Sequence, residues 1–298
     1  MVSAAGLLPA LALVLNAFVW GISWWPFREL QAHGVHPLWA TAGIYLVSLA
    51  LLLALRPDSL RHFATQPLLW VLLAAAGLTN VGFNWAVTIG DVVRVVLLFY
   101  LMPAWTVVLA WPLLGEKPTA PALARLALAM AGVVVVLKTA DSAWPVPESA
   151  ADALALLGGF SFALTNILLR KLHSVPAAPR ILAMFAGGAL LAAAAGLLGG
   201  AWGAVPAPPL PQLAWAGIWL VLSLGFLVGN VALQYGASRM RAQSAALIML
   251  CEVVFASLSA VALGAAELTP RIWFGGALIL AAAVWSAWAD GSNNNGPA

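Results

Sequence analysis

Apolar residues in this chain neither alternate nor gather on one helical face; they come in long runs that are apolar nearly all round. Ten such runs lie near 8–25, 38–55, 68–89, 93–114, 121–137, 151–169, 180–199, 212–236, 243–264 and 271–288. A helix of about 17–25 apolar residues spans the hydrocarbon core of a bilayer. A barrel strand would instead show roughly ten residues of in–out alternation. Helix-stopping residues punctuate the runs: Arg56-Pro57, Gly115-Glu116-Lys117-Pro118 and the proline-rich Pro206 to Pro211. The pattern predicts an all-α integral membrane protein with ten transmembrane helices. The polar stretch 291–298 is read as a tail outside the fold.

Composition sharpens this picture. The 298 residues are 63% apolar and 8% charged, whereas a soluble domain carries about 25% charged residues. With ten spans both termini share one side. Loops on that side hold nine basic residues, Arg56, Arg61, Lys117, Arg125, Arg170, Lys171, Arg180, Arg239 and Arg241. The other side holds four, Arg28, Arg94, Lys138 and Arg271. The positive-inside rule then predicts cytoplasmic termini. The charges form no basic stripe, which argues against a nucleic-acid partner. The single cysteine, Cys251, cannot form an intramolecular disulfide and is read as a core residue. The four histidines fall between the runs, without an HExxH or CxxC pair, so neither a metal nor a cofactor is expected. The absence of a P-loop disfavours ATP-driven transport by this chain. Met1 to Gly6 lacks the basic start of a signal peptide, so the first run is expected to stay in the membrane.

The two halves echo one another. A shift of 142 aligns Phe18 with Phe160, Arg28 with Arg170, Leu30 with Leu172 and Pro37 with Pro179. A shift of 146 aligns Asn84 with Asn230 and Gly90 with Gly236, and a shift of 151 aligns Glu116 with Glu267. The chain is therefore divided into a first five-helix repeat, 1–142, and a second, 143–290. Five is odd, so the second copy enters the membrane upside down. Inverted repeats with a site between them near the midplane are common among secondary transporters. One chain then supplies both halves of a pathway, and a monomer suffices.

Polar groups inside the runs mark where such a pathway could lie. Asn80, Asn84 and Thr88 recur every four residues and share a face; Asn230 and Gln234 do the same in the eighth run. These amides either line a wet cavity or bond helix to helix. Glu252 is the only acid near the middle of a span. It could bind a substrate ammonium, carry a proton, or sit neutral in a hydrogen-bonded pair. Asp91 and Arg94 suit an ordinary ion pair at a turn. Most of the 15 tryptophans fall near helix ends, including Trp24, Trp25, Trp39, Trp70, Trp111, Trp215, Trp273, Trp285 and Trp288, and fit an interfacial belt. The candidates for an apolar cavity are Trp20 and Trp24 in the first run, Tyr100 and Trp105 around Pro103, and Phe162 with Asn166 in the sixth. Each is equally readable as core. Pro103 breaks a backbone bond in mid-span, and Gly225 and Gly229 form a GxxxG pair; together they are hinge candidates.

LLGEKPT (Leu113 to Thr119) and GAAELTP (Gly264 to Pro270), each followed by an Ala/Gly-rich run, resemble the drug/metabolite transporter superfamily of EamA type. The resemblance covers about 8–288. NAFVWGISWWPF and FYLMPAW look most like the YddG-type bacterial exporters of aromatic amino acids. That resemblance implies an inner-membrane exporter of aromatic amino acids, with other amino acids and drug-like cations as further substrates. It also implies that helices 1–4 and 6–9 surround the cavity. In that family a proline often follows the glutamate of the ninth helix; here Val253 follows Glu252, so no kink matching that at Pro103 is expected. Phosphate or nucleotide-sugar exchange would call for basic residues at midplane depth, and none lies there. An intramembrane enzyme would call for a catalytic dyad or paired aspartates, and neither appears.

Overall fold

The computed structural model describes residues 4–90, 92–138, 147–210, 213–265, 267 and 269–293. No strand occurs among them, and ten helices are long and apolar enough to cross a membrane. With no water in a bilayer core, each backbone N–H and C=O must be satisfied within its own helix, and that requirement makes each run helical. In order these are α1 (Ala4–Ala32), α2 (Pro37–Leu55), α3 (Leu68–Ile89), α4 (Val92–Phe99 and Met102–Leu114) and α5 (Ala120–Leu137). The second half repeats the set as α6 (Ala150–Lys171), α7 (Ala177–Ala201), α8 (Leu213–Ala237), α9 (Ala242–Met249 and Cys251–Ala262) and α10 (Pro270–Asn293). Two short helices, Pro57–Arg61 and His62–Thr65, fill the connection between α2 and α3.

Local chemistry sets the ends. The Thr119 side chain accepts from Ala122 N at the start of α5, and Ser149 and Asp152 form a reciprocal capping box on α6. Gly115 closes α4 in the left-handed conformation, φ 73°, which a side chain would disfavour. Three expectations need correction. α1 does not stop at 25 but continues through Pro26 to Ala32, because a proline removes a single backbone bond and packed neighbours tolerate it. α10 extends to Asn293, three residues into the expected tail; 294–298 lie outside the described residues. The fourth and ninth spans are each broken in two rather than continuous.

Helix contacts repeat under exchange of the halves. α3 packs along α6, and its counterpart α8 packs along α1. α4 lies on α6 as α9 lies on α1, and α3 on α7 as α8 on α2. The pairs α2–α7 and α5–α10 are their own counterparts. Single residues obey the same rule: Gly90 lies against Ala151, and Gly236 against Pro9, the position 142 residues before Ala151. α2 and α8 are further joined by reciprocal hydrogen bonds, Ser48 Oγ to Ser223 O at 3.1 Å and Ser223 Oγ to Ile44 O at 3.2 Å.

Candidate functional site

The breaks in α4 and α9 face one another at mid-span, and they have different local causes. Pro103 cannot donate a backbone bond, and the ladder of α4 slips just before it, with Leu101 N bonding Leu98 O at 3.3 Å. α9 has no proline there, yet the ladder tightens around Leu250: Leu250 N bonds Leu247 O, and Val253 N bonds Leu250 O. A kink without proline thus replaces the continuous helix expected from Val253. It places Tyr100 at one break and Glu252 in the first turn of the segment after the other. The Tyr100 hydroxyl donates to the Glu252 carboxyl. A helix N-terminus favours negative charge, so the break supplies a second stabilising element for an acid at that depth.

From these breaks a cavity of about 530 Å³ runs toward the face opposite the chain ends. Its walls carry five aromatic rings, Trp20, Trp24, Phe27, Phe83 and Tyr100, and its polar groups include Asn84, Ser257 and Glu252. Arg28 and Gln31, both exposed, stand at the mouth. Second partners fix the polar groups. Trp24 Nε1 donates to Ser259 Oγ at 2.9 Å, and Asn84 Nδ2 donates to Thr41 Oγ1 at 2.6 Å. Trp20 is held against Phe226, ring centroids 4.4 Å apart. The volume and the apolar walls with few fixed polar groups are those of a small-molecule site.

The other end is shut. Ala110, Ile167 and Ala242 are fully buried in an apolar plug, flanked by Leu109 and Leu114. Beyond the plug, Glu116 Oε1 lies 3.9 Å from Arg170 Nε. Glu116 also accepts from Ala242 N through Oε2 at 3.1 Å, and its carbonyl accepts from Gln243 Nε2 at 3.2 Å. Arg170 Nη1 donates to Ser238 O at 2.9 Å. The loop after α4, the end of α6 and the turn between α8 and α9 are thereby tied together.

A family model of the EamA-like transporter family matches residues 7–138 and again 149–288. The chain belongs to that family. Among 26 matching chains of known structure, one described only as the crystal structure of a protein aligns with a TM-score of 0.76. It is 18% identical and covers 97% of this chain and 99% of its own, which shows a shared fold. The comparison with curated proteins gives no match.

In this EamA-like transporter, five of the residues singled out in the sequence meet at the cavity: Trp20, Trp24, Asn84, Tyr100 and Glu252. Asn80 is buried instead, donating to Ala76 O at 2.9 Å and hydrogen-bonded with Tyr45. Trp105 packs edge-on against Phe160 at 5.7 Å, and Phe162 lies 6.0 Å from Phe99. Asn166, Asn230 and Gln234 are buried, their amide groups donating to Phe162 O, Phe226 O and Met184 Sδ. Gly225 and Gly229 face Val19 of α1, with Asn16 beside Gly229. Asp91 lies outside the described residues, and Arg94 bonds Asp152 at 2.8 Å and Glu148 at 3.5 Å. Trp215, expected in the interfacial belt, is buried against Trp219, centroids 4.9 Å apart, while Trp25, Trp70, Trp111, Trp273, Trp285 and Trp288 are exposed.

Phe27, Arg28 and Gln31 were not among the expected cavity residues because the first span was cut at 25. The stripe 20, 24, 27, 31 would have found two of them, since it follows the helical repeat past Pro26.

Proposed function

We propose that this transporter exports aromatic amino acids across a bacterial inner membrane by alternating access, as a monomer with both termini in the cytoplasm. The observation that carries the reading is the cavity: five aromatic rings around the Glu252 carboxyl and the Asn84 amide, at the depth where two repeat-related helices break. An aromatic side chain stacks on such walls, and a substrate ammonium finds Glu252 and the Tyr100 hydroxyl. The likeness of NAFVWGISWWPF and FYLMPAW to the YddG-type exporters supports the same substrate class. With the basic loops inside, the open cavity faces outward, and the two halves rock to expose it to either side in turn.

The test is efflux of radiolabelled phenylalanine from proteoliposomes, with and without a pH gradient, for wild type and Glu252→Gln. Saturable efflux blocked by excess tryptophan is expected. Loss of a pH-gradient effect in the variant assigns Glu252 as the proton carrier; efflux indifferent to the gradient makes the protein a facilitator. Folded protein that moves no phenylalanine overturns the substrate. A second reading, export of drug-like organic cations, is favoured by a lone carboxyl among aromatic faces, which attract cations. Efflux of a radiolabelled quaternary ammonium compound, with phenylalanine immobile, would select it.

A further inference from the structure

The repeat pairs Arg28 with Arg170 and Glu116 with Glu267. In the structure Arg170 and Glu116 are ion-paired across the closed end. Their counterparts stand at the open end. Arg28 is exposed at the mouth of the cavity, and Glu267 is exposed on the connection between α9 and α10. Neither enters an ion pair among the described residues. The surroundings correspond as well. α1, which carries Arg28, packs on α9 as α6, which carries Arg170, packs on α4. Glu116 accepts from the first residue of α9, Ala242; the equivalent position at the start of α4 is Val92.

The closed end also holds buried polar atoms. Asn166 Oδ1, Gln234 Oε1 and Trp105 Nε1 are buried there without a hydrogen-bond partner among the described residues. Burying an unpaired polar atom is unfavourable, and Trp215 Nε1 and Trp219 Nε1 at the start of α8 are buried without a partner as well. Asn166 and Phe162 are the repeat counterparts of Trp24 and Trp20, and Asn230 and Gln234 those of Asn84 and Thr88. The closed end therefore contains the matching half of the open cavity.

We propose that Arg28 and Glu267 form the equivalent ion pair, closing the face opposite the chain ends when the other face opens, so that one of two locks is engaged at a time. The proposal rests on the alternating-access reading and names the residues that set its balance.

The test uses the reconstituted full chain in a Cys251→Ser background, with Ser257→Cys as a probe inside the open cavity and a membrane-impermeant maleimide as reagent. No substrate is needed. Glu116→Gln releases the present lock, so labelling of the probe is expected to slow, by at most about fivefold, the shift in the opening equilibrium that one partly exposed ion pair supplies. Adding Arg28→Gln or Glu267→Gln returns labelling toward the starting rate, because the opposing lock is also lost. Adding the charge exchange Arg28→Glu with Glu267→Arg keeps it slow, because the pair survives reversed. Labelling that stays slow with Arg28→Gln and with Glu267→Gln overturns the proposal and leaves alternation standing. If Glu116→Gln does not slow labelling, the Glu116–Arg170 contact is not a lock, and the proposal of an equivalent lock at Arg28 and Glu267 fails with it.

Discussion

Trp24, expected in an interfacial belt at the end of a helix cut at 25, lies two turns inside α1 and lines the cavity. Its indole N–H reaches Ser259 Oγ at 2.9 Å and joins α1 to α9 beside the cavity. Both partners are part-buried, so removing either forfeits about 1 kcal/mol of stability. Trp24→Phe and Ser259→Ala should each lower thermal stability in detergent by that order, and the double variant by little more than one of them. Strict additivity of the two losses would show that the bond does not couple the helices. His36 offers a pH-dependent counterpart outside the spans. Its Nδ1 accepts from Leu38 N at 3.2 Å to cap α2, and burial holds its pKa below the ordinary histidine value. With the folded pKa depressed, the capped helix is favoured above the unfolded value, and this contribution is lost as pH falls through the folded one. Wild type should lose stability between pH 7 and 5 relative to His36→Asn, which keeps a capping acceptor that does not titrate. Parallel pH profiles would remove the role.

At the scale of elements, what could be read from the sequence depended on whether a physical cause was local. The ten helices were legible because insertion in a bilayer demands long apolar runs whatever the neighbours. The break in α4 was legible through Pro103. The break at Leu250 was not, since no residue there is a helix breaker; it arises in the packed bundle, where a shorter backbone bond at Val253 replaces the regular one. The site followed the same division. Glu252 and Asn84 stood out as polar residues in apolar runs, whereas the contribution of Thr41, Ser259 and Phe83 depends on which helices meet. Glycine carries a similar distinction. A Cβ on Gly187 would overlap the Leu73 carbonyl of α3, a backbone atom with no room to yield, while one on Gly225 meets nothing nearer than Val19 at 3.8 Å. Gly187→Ala should therefore destabilise by about 1–3 kcal/mol, and Gly225→Ala should leave thermal stability nearly unchanged. The second variant also examines the hinge assignment: unchanged stability with slower efflux supports a hinge in α8, and unchanged efflux removes Gly225 from that role.

On the scale of the whole molecule, three pairs of candidate residues are related by the repeat. Trp20, Trp24 and Asn84 line the open cavity, and Phe162, Asn166 and Asn230 occupy the matching places in the closed half. Under the alternating-access proposal the two sets are two half-sites, of which this structure opens one. Sequence carries the repeat, but it does not tell which of the two sets lines a cavity and which packs dry. Phe162→Cys, in a Cys251→Ser background, should resist an impermeant maleimide applied from the chain-end face, since the plug of Ala110, Ile167 and Ala242 lies in the way. Adding Glu116→Gln should make it react several-fold faster from that face, and more slowly again once a transported substrate saturates the opposite side. Equal reactivity of Phe162→Cys with and without Glu116→Gln would mean that the closed half does not open through this contact. The second set would then be packing between helices, and the substrate path would have to leave the cavity by a route other than the axis of the repeat.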